Sequence, residues 1–69
     1  MKQEYTDFYF RGSGPLEGRI IRLPSYFQDY IYDVPAVSSV GYPSVISWRY
    51  RYVRRPGNIM MFDSVEGRP

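Results

Sequence analysis

The sequence predicts an all-β fold, a small curled antiparallel sheet or open barrel of four to five strands. Three observations carry this prediction: helical periodicity is almost absent, short segments alternate apolar and polar residues, and six glycines and six prolines separate these segments. Alternation sends successive side chains to opposite faces, which is typical of half-buried strands. With 69 residues the chain is expected to form one domain, residues 1–69, with a thin core.

The first strand is predicted over residues 5–11. Its even positions Thr6, Phe8 and Phe10 share one face, and the polar and tyrosine positions share the other. The loop over residues 12–18 then contains three glycines, which supply positive-φ positions and close backbone approach.

Two further strands are predicted before the middle of the chain. Residues 19–23 form the second strand, which Pro24 ends. Residues 25–30 fit either one helical turn or a loop, and a third strand spans residues 30–34. The segment 36–43, rich in Ser, Gly and Pro, is a connection.

The clearest predicted strand covers residues 45–54. Its apolar side is an unbroken stripe, predicted to face the core: Ile46, Trp48, Tyr50 and Tyr52. Its opposite side is polar and cationic: Ser47, Arg49 and Arg51. The strand therefore separates aromatic from charged side chains.

A turn and a last strand follow. Pro56 and Gly57 occupy the second and third positions of a type II turn, although a hairpin here allows a longer loop. The returning strand is predicted over residues 58–62, and the polar tail 63–69 is predicted to fray.

The composition argues against catalysis and against a metal centre. The chain has no Cys and no His, and its one lysine is Lys2, so tunable nucleophiles and zinc ligands are missing. Asp29 and Asp33 are best explained as solvated surface acids. We expect no enzyme activity and no cofactor. A thin core without disulfides makes a homo-oligomer the expected means of added stability.

No segment is typical of a signal peptide or a membrane span. The expected location is the cytoplasm, without membrane association.

The basic second half of the chain holds the candidate ligand site. Residues 34–69 carry five Lys or Arg against two Asp or Glu. Guanidinium groups match phosphate oxygens, aromatic rings stack on bases, and glycine amides can approach an anion. The predicted ligand-binding residues are Arg49, Arg51, Arg54, Arg55, Tyr50, Tyr52, Gly12 and Gly14. The alternatives are a core stripe with a solvated arginine face, and a glycine loop that is only a tight connection.

Two segments resemble a group of small uncharacterised proteins of tailed phages and some actinobacteria. They are Ser13-Gly14-Pro15-Leu16-Glu17-Gly18 with the strand after it, and Trp48-Arg49-Tyr50-Arg51-Tyr52. The group's pattern is Gly-Gly-Pro-Leu-Asp-Gly, so Ser13 and Glu17 replace a glycine and an aspartate. The resemblance covers about a third of the chain and implies a phage origin, with no catalytic residues.

Phage origin and the arginine-aromatic strand together favour a non-enzymatic binding protein. The first hypothesis is an anti-defence sponge, a homo-oligomer that sequesters a nucleotide-derived immune signal such as a cyclic nucleotide or ADP-ribose derivative in the host cytoplasm. The second is a protein-binding module, either a host-factor inhibitor or a minor virion component. The third is a single-stranded nucleic-acid binder.

Overall fold

The computed structural model describes residues 2–36 and 47–68, and within them the protein is all-β, as predicted. Five strands form one sheet that curls into a half-barrel: β1 (Tyr5–Arg11), β2 (Ile20–Pro24), β3 (Asp29–Pro35), β4 (Ser47–Arg55) and β5 (Ile59–Arg68). Their order across the sheet is β2-β1-β5-β4-β3. Neither described segment contains a helix that could cross a membrane.

The sheet joins an N-terminal hairpin to a C-terminal three-stranded meander. β1 pairs antiparallel with β2, and β3, β4 and β5 pair antiparallel in sequence. The link between the two parts is a parallel pairing of β1 with β5, over only Tyr9–Arg11 and Ile59–Met61. This pair is the one departure from the predicted antiparallel sheet.

The core lies where the hairpin and the meander meet. Among residues 2–36 and 47–68, six side chains of this core are buried: Phe8, Phe10, Leu16, Leu23, Tyr52 and Met60. Phe8 and Phe10 face inward from β1 as predicted. The rings of Phe10 and Tyr52 meet edge to face with centroids 5.1 Å apart, an arrangement that aromatic quadrupoles favour.

The predicted inward stripe of β4 is buried at one end only. Tyr52 is fully buried and Tyr50 is half-buried, but Trp48 is 41% exposed, so the prediction that Trp48 lies in the core is wrong. The reason is that β1 and β2 do not extend to this end of the sheet. Ile46 lies outside the described residues.

β5 is twice as long as the predicted strand. It pairs with β4 as far as Arg68, so the predicted fraying of the tail is corrected over residues 63–68. The register shifts between Arg51 and Tyr52, opposite Ser64 and Phe62, which makes Asp63 the extra residue of a β-bulge. After the bulge the alternation of faces restarts one residue late.

Two short connections decide between alternatives that the sequence left open, at residues 25–30 and at the loop between β4 and β5. Residues 25–28 form a turn rather than a helical turn, closed by a hydrogen bond that Phe27 N donates to Pro24 O at 3.1 Å. The β4–β5 hairpin has a three-residue loop, because Arg55 pairs with Ile59, and Gly57 and Asn58 both adopt positive φ.

Candidate functional site

Three strands continue past the core as an arm, which we define as residues 31–35, 47–51 and 64–68. In this arm β4 lies between β3 and β5, paired with both along its length. β1 reaches β5 only at the opposite end of the sheet. The molecule is accordingly elongated, 49 × 27 × 15 Å.

One face of the arm is apolar and carries aromatic rings; we call it the aromatic face. Six residues form two rows across the three strands, Val34, Trp48 and Gly67 in one and Tyr32, Tyr50 and Val65 in the next. Trp48 is 41%, Tyr32 36% and Val65 43% exposed. A sheet face of this kind normally packs on another layer, so its exposure on a thin arm requires an explanation.

The aromatic face borders the core at Tyr52. The Tyr52 hydroxyl donates a hydrogen bond to Ser13 O at 2.9 Å and accepts one from Leu16 N at 3.3 Å. Burial raises the pKa of Tyr52 above its usual value, with smaller contributions from other groups. The glycine loop is thereby tied over the core beside Tyr50.

Gly12 and Gly14 are needed for this close packing. Both adopt positive φ, +101° and +93°. A Cβ on Gly14 would overlap the Tyr52 hydroxyl oxygen and lie 3.2 Å from Tyr50 Cδ1, and a Cβ on Gly12 would lie 2.8 Å from Phe62 Cβ. These glycines approach the aromatic side chains of the protein itself.

The amides of the loop are also directed inward. Leu16 N binds the Tyr52 hydroxyl, Glu17 N binds Gly14 O at 3.3 Å, and Gly18 N binds Phe10 O at 2.7 Å. An anion-binding loop presents such amides to its ligand. In this loop the three amides hold the loop's own turn and fasten it to β1 and β4.

The opposite, charged face of the arm carries ion pairs between adjacent strands. Arg49 donates two hydrogen bonds to the Asp33 carboxylate, at 2.9 and 3.3 Å. These hydrogen bonds lower the pKa of Asp33 and raise the pKa of Arg49. Arg51 pairs with Asp29 at 3.4 Å and with Asp63 at 3.7 Å. Both arginines therefore have carboxylate partners.

Arg54 packs against the core and holds a neighbouring turn. Its guanidinium donates hydrogen bonds to Ser25 O at 2.6 Å and Phe27 O at 3.2 Å, and it lies 5.0 Å from the centroid of the Phe8 ring. It fixes the turn between β2 and β3 against the sheet. Arg55, the last residue of β4, is exposed.

The structure thus distributes the predicted ligand residues over three places. Arg49 and Arg51 lie on the charged face, Tyr50 and Tyr52 point to the other side of the sheet, and Arg54 packs on the core. The eight residues do not surround one space. Their role in ligand binding stays a prediction.

Two concave features of the described surface are lined by other residues. The larger, an open depression of about 440 Å³, is lined by the N-terminal segment and the β2–β3 turn: Lys2, Gln3, Glu4, Ser25 and Tyr26. A smaller one, of about 250 Å³, adjoins it along residues 26–29. Neither includes a predicted ligand residue. Across residues 2–36 and 47–68 no three acidic side chains gather closely enough to hold a metal ion.

Sequence reasoning missed the parts of the aromatic face that come from β3 and β5. Tyr32 alternates with Tyr30 and Val34, a signal that was present in the sequence. Val65 had no such signal, because the bulge at Asp63 breaks the alternation before it.

No protein-family model, curated protein or solved structure matches the chain. The resemblance to phage proteins stays a prediction.

Proposed function

We propose that the protein is a non-enzymatic protein-binding module and that its partner packs on the aromatic face. The observation that carries the proposal is the exposure of Trp48, Tyr32 and Val65 on adjacent strands of one regular sheet. A backbone that is already paired in a sheet loses little further freedom when a partner covers it.

The chemistry of this face suits a protein partner. Tryptophan and tyrosine supply large apolar area together with an N–H or O–H group, and they dominate the binding energy of many interfaces. Gly67 next to Trp48 leaves one side of the indole without a neighbouring side chain in its row. Trp48 lies between the smaller Val34 and Gly67 in its row, and the two tyrosines of the next row adjoin it. Aromatic residues of this kind are enriched in interface cores.

The distribution of charge argues for protein rather than nucleic acid. Stacking of bases on aromatic rings is normally combined with cationic groups that follow the phosphates. Among residues 31–35, 47–51 and 64–68 the arginines project to the charged face, and Arg49 and Arg51 are paired there with aspartates. The two rows of the aromatic face contain no cation.

The nucleotide sponge stays a prediction with less support from the geometry. Arg49 and Arg51 project from the side of β4 opposite Tyr50 and Tyr52, Arg54 packs on the core, and no predicted ligand residue lines either concave feature. If the chain is phage-encoded, as the resemblance implies, the protein partner would be a host factor or another virion component.

Photo-crosslinking from two adjacent positions tests the proposal. A benzoylphenylalanine at Tyr32 projects from the aromatic face, and one at Ile31 projects from the charged face, with similar exposure of 36% and 44%. We expect one defined protein to crosslink from position 32 in the native cell and not from position 31. Equal crosslinking from both positions would contradict the assignment of the face.

The identified partner then allows a quantitative test by calorimetry. Trp48→Ala should weaken binding by about 2 kcal/mol or more, the range of a central aromatic residue. Ile31→Ala, the control, should change it by less than about 0.5 kcal/mol. Because Trp48 is the only tryptophan, its fluorescence also reports this face directly. A response of Trp48 to cyclic nucleotides, ADP-ribose or a short single-stranded DNA, with no protein partner found, would favour the other two hypotheses.

A further inference from the structure

A second group of exposed apolar side chains lies on the side of the sheet opposite the core. We call it the outer patch, and its five residues come from β1, β2, β4 and β5: Tyr9, Ile20, Val53, Ile59 and Met61. Ile20 is 61% and Tyr9 is 43% exposed, and the other three are half-buried. An apolar group that is exposed on a sheet in this way is typical of a surface that contacts another molecule.

The register of the strands arranges the outer patch in two rows, each of which ends in an arginine. The first row runs from β2 to β4 and consists of Ile20, Tyr9, Ile59 and Arg55. The second row runs from β1 to β4 and consists of Arg11, Met61 and Val53. Arg55 and Arg11 therefore occupy opposite corners of the patch. Two strand spacings and one step of two residues separate their Cα atoms, a distance of about 12 Å.

These two arginines keep their positive charge uncompensated within the described chain. All seven acidic residues of the sequence lie in the described segments, and five of them pair with other arginines: Asp7, Asp29, Asp33, Asp63 and Glu66. In residues 2–36 and 47–68 no carboxylate lies within ion-pairing distance of Arg11 or Arg55. Both side chains are exposed, and the Arg11 guanidinium lies 5.5 Å from the centroid of the Tyr9 ring.

The composition and shape of the outer patch favour a protein over other ligands. Small molecules bind in clefts, and neither of the two concave features includes a residue of the patch. Single-stranded nucleic acids stack on aromatic rings, and the patch has one ring among four aliphatic or thioether side chains. Anionic membranes attract clusters of about four to eight basic residues, whereas the rows of this patch end in two. An apolar centre with charges at its margin is typical of protein interfaces.

Charge complementarity then defines the chemistry of the partner, because interfaces place opposite charges together. We propose that the outer patch binds an acidic segment of a partner protein, with apolar side chains on the patch and carboxylates on Arg11 and Arg55. In an extended segment, carboxylates four residues apart project to one side and are separated by about 13 Å, which matches the spacing of the two arginines. The proposal does not depend on the aromatic face, which lies on the other side of the sheet.

Selection from a random peptide library, followed by calorimetry of the selected peptides, tests the proposal. We expect one class of peptides to carry apolar residues between two Asp or Glu residues. Arg11→Glu and Arg55→Glu should each weaken the binding of this class by about tenfold or more, because each variant opposes two negative charges. Arg55→Lys keeps the charge and should weaken it by less than about threefold. Unchanged circular dichroism spectra would show that the variants are folded.

Arg19→Glu is the matched control for these charge reversals. Arg19 is exposed and also has no carboxylate within ion-pairing distance in the described segments, so the variant makes the same change of net charge. It precedes Ile20, and alternation directs its side chain away from the outer patch. Arg19→Glu should therefore change the affinity by less than about twofold. An equal loss in Arg19→Glu would show general attraction of acidic peptides and overturn the proposal.

The remaining outcomes separate this surface from the aromatic face and from other ligands. Trp48→Ala should leave the binding of the acidic class unchanged, so failure of the outer patch and failure of the aromatic face are distinguishable. Ile31 lies beyond the ion pair of Arg51 with Asp29, outside the patch. Loss of binding in Trp48→Ala but not in Arg11→Glu would overturn the proposal. So would the absence of an acidic class, with binding instead to phosphatidylserine vesicles or to single-stranded DNA.

Discussion

Replacing Gly14 with alanine should destabilise the protein much more than the same change at Gly18. Both residues adopt positive φ, +93° and +82°, so both substitutions introduce the same kind of backbone strain. That strain is about 1–2 kcal/mol, offset by about 0.4–1 kcal/mol from the reduced freedom of the unfolded chain. A Cβ on Gly18 meets no atom within 4 Å. The expected loss for Gly18→Ala is therefore about 1 kcal/mol.

At Gly14 the new Cβ also displaces the Tyr52 hydroxyl. That hydroxyl satisfies Leu16 N and binds Ser13 O inside the core, so its displacement leaves a buried amide without an acceptor. An unsatisfied buried group costs about 1–3 kcal/mol in addition. The expected total for Gly14→Ala is about 2–4 kcal/mol.

Urea unfolding followed by far-ultraviolet circular dichroism measures both variants under two-state conditions. The difference between the two midpoints isolates the packing of the loop on Tyr52 from the backbone strain that both variants share. If Gly14→Ala and Gly18→Ala lost the same free energy within about 0.5 kcal/mol, the loop would not be fastened through Tyr52 and our account of Gly14 would be refuted.

Three further comparisons test the core and its borders. In urea unfolding, Phe8→Ala should reduce stability by about 3–5 kcal/mol and Trp48→Ala by less than about 1 kcal/mol, because Phe8 is fully buried and Trp48 is 41% exposed. Similar losses for the two variants would contradict the exposure of Trp48. Arg54→Ala should cost about 2–3 kcal/mol through its two carbonyl hydrogen bonds, and exposed Arg55→Ala less than about 0.5 kcal/mol. Burial raises the pKa of the Tyr52 hydroxyl above 10.0, so the folded state holds the hydroxyl proton more tightly than the unfolded chain does. The contribution of Tyr52 to the free energy of unfolding is therefore fully present below pH 10.0 and is lost as the pH rises through the raised pKa. Tyr52→Phe should reduce this fall in unfolding measurements from pH 8 upward, and an unchanged pH profile would exclude Tyr52 as its source.

The strands were predictable because alternation is a local property of the sequence. All five were found, and β1 was predicted with its observed bounds, Tyr5–Arg11. β5 was predicted too short because its second half is polar, and its pairing depends on β4 rather than on its own apolar residues. The parallel contact between Tyr9 and Ile59 joins the two ends of the chain and has no local signal.

The candidate site was less predictable, because alternation gives the face of a residue and not its depth. Trp48, Tyr50 and Tyr52 share a face as predicted, but only Tyr52 has the glycine loop and β1 packed over it. Arg54 was grouped with Arg49 and Arg51 by proximity, although its even position places it on the core side. The aspartate partners of Arg49 and Arg51 come from the β3–β4 register, which a single strand does not encode.

The parallel pairing of β1 with β5 has a consequence for the order of folding. Tyr9 and Ile59 are fifty positions apart, so the contact that unites the sheet requires closure of a loop of most of the chain. The meander of β3, β4 and β5 pairs strands that are neighbours in the sequence, so it can form first. Phe8 and Phe10 of the β1–β2 hairpin stay exposed until the hairpin docks on the meander. The docking of this hairpin should therefore set the folding rate, and changes that stabilise the β4–β5 turn should speed folding only if that turn is already formed in the transition state.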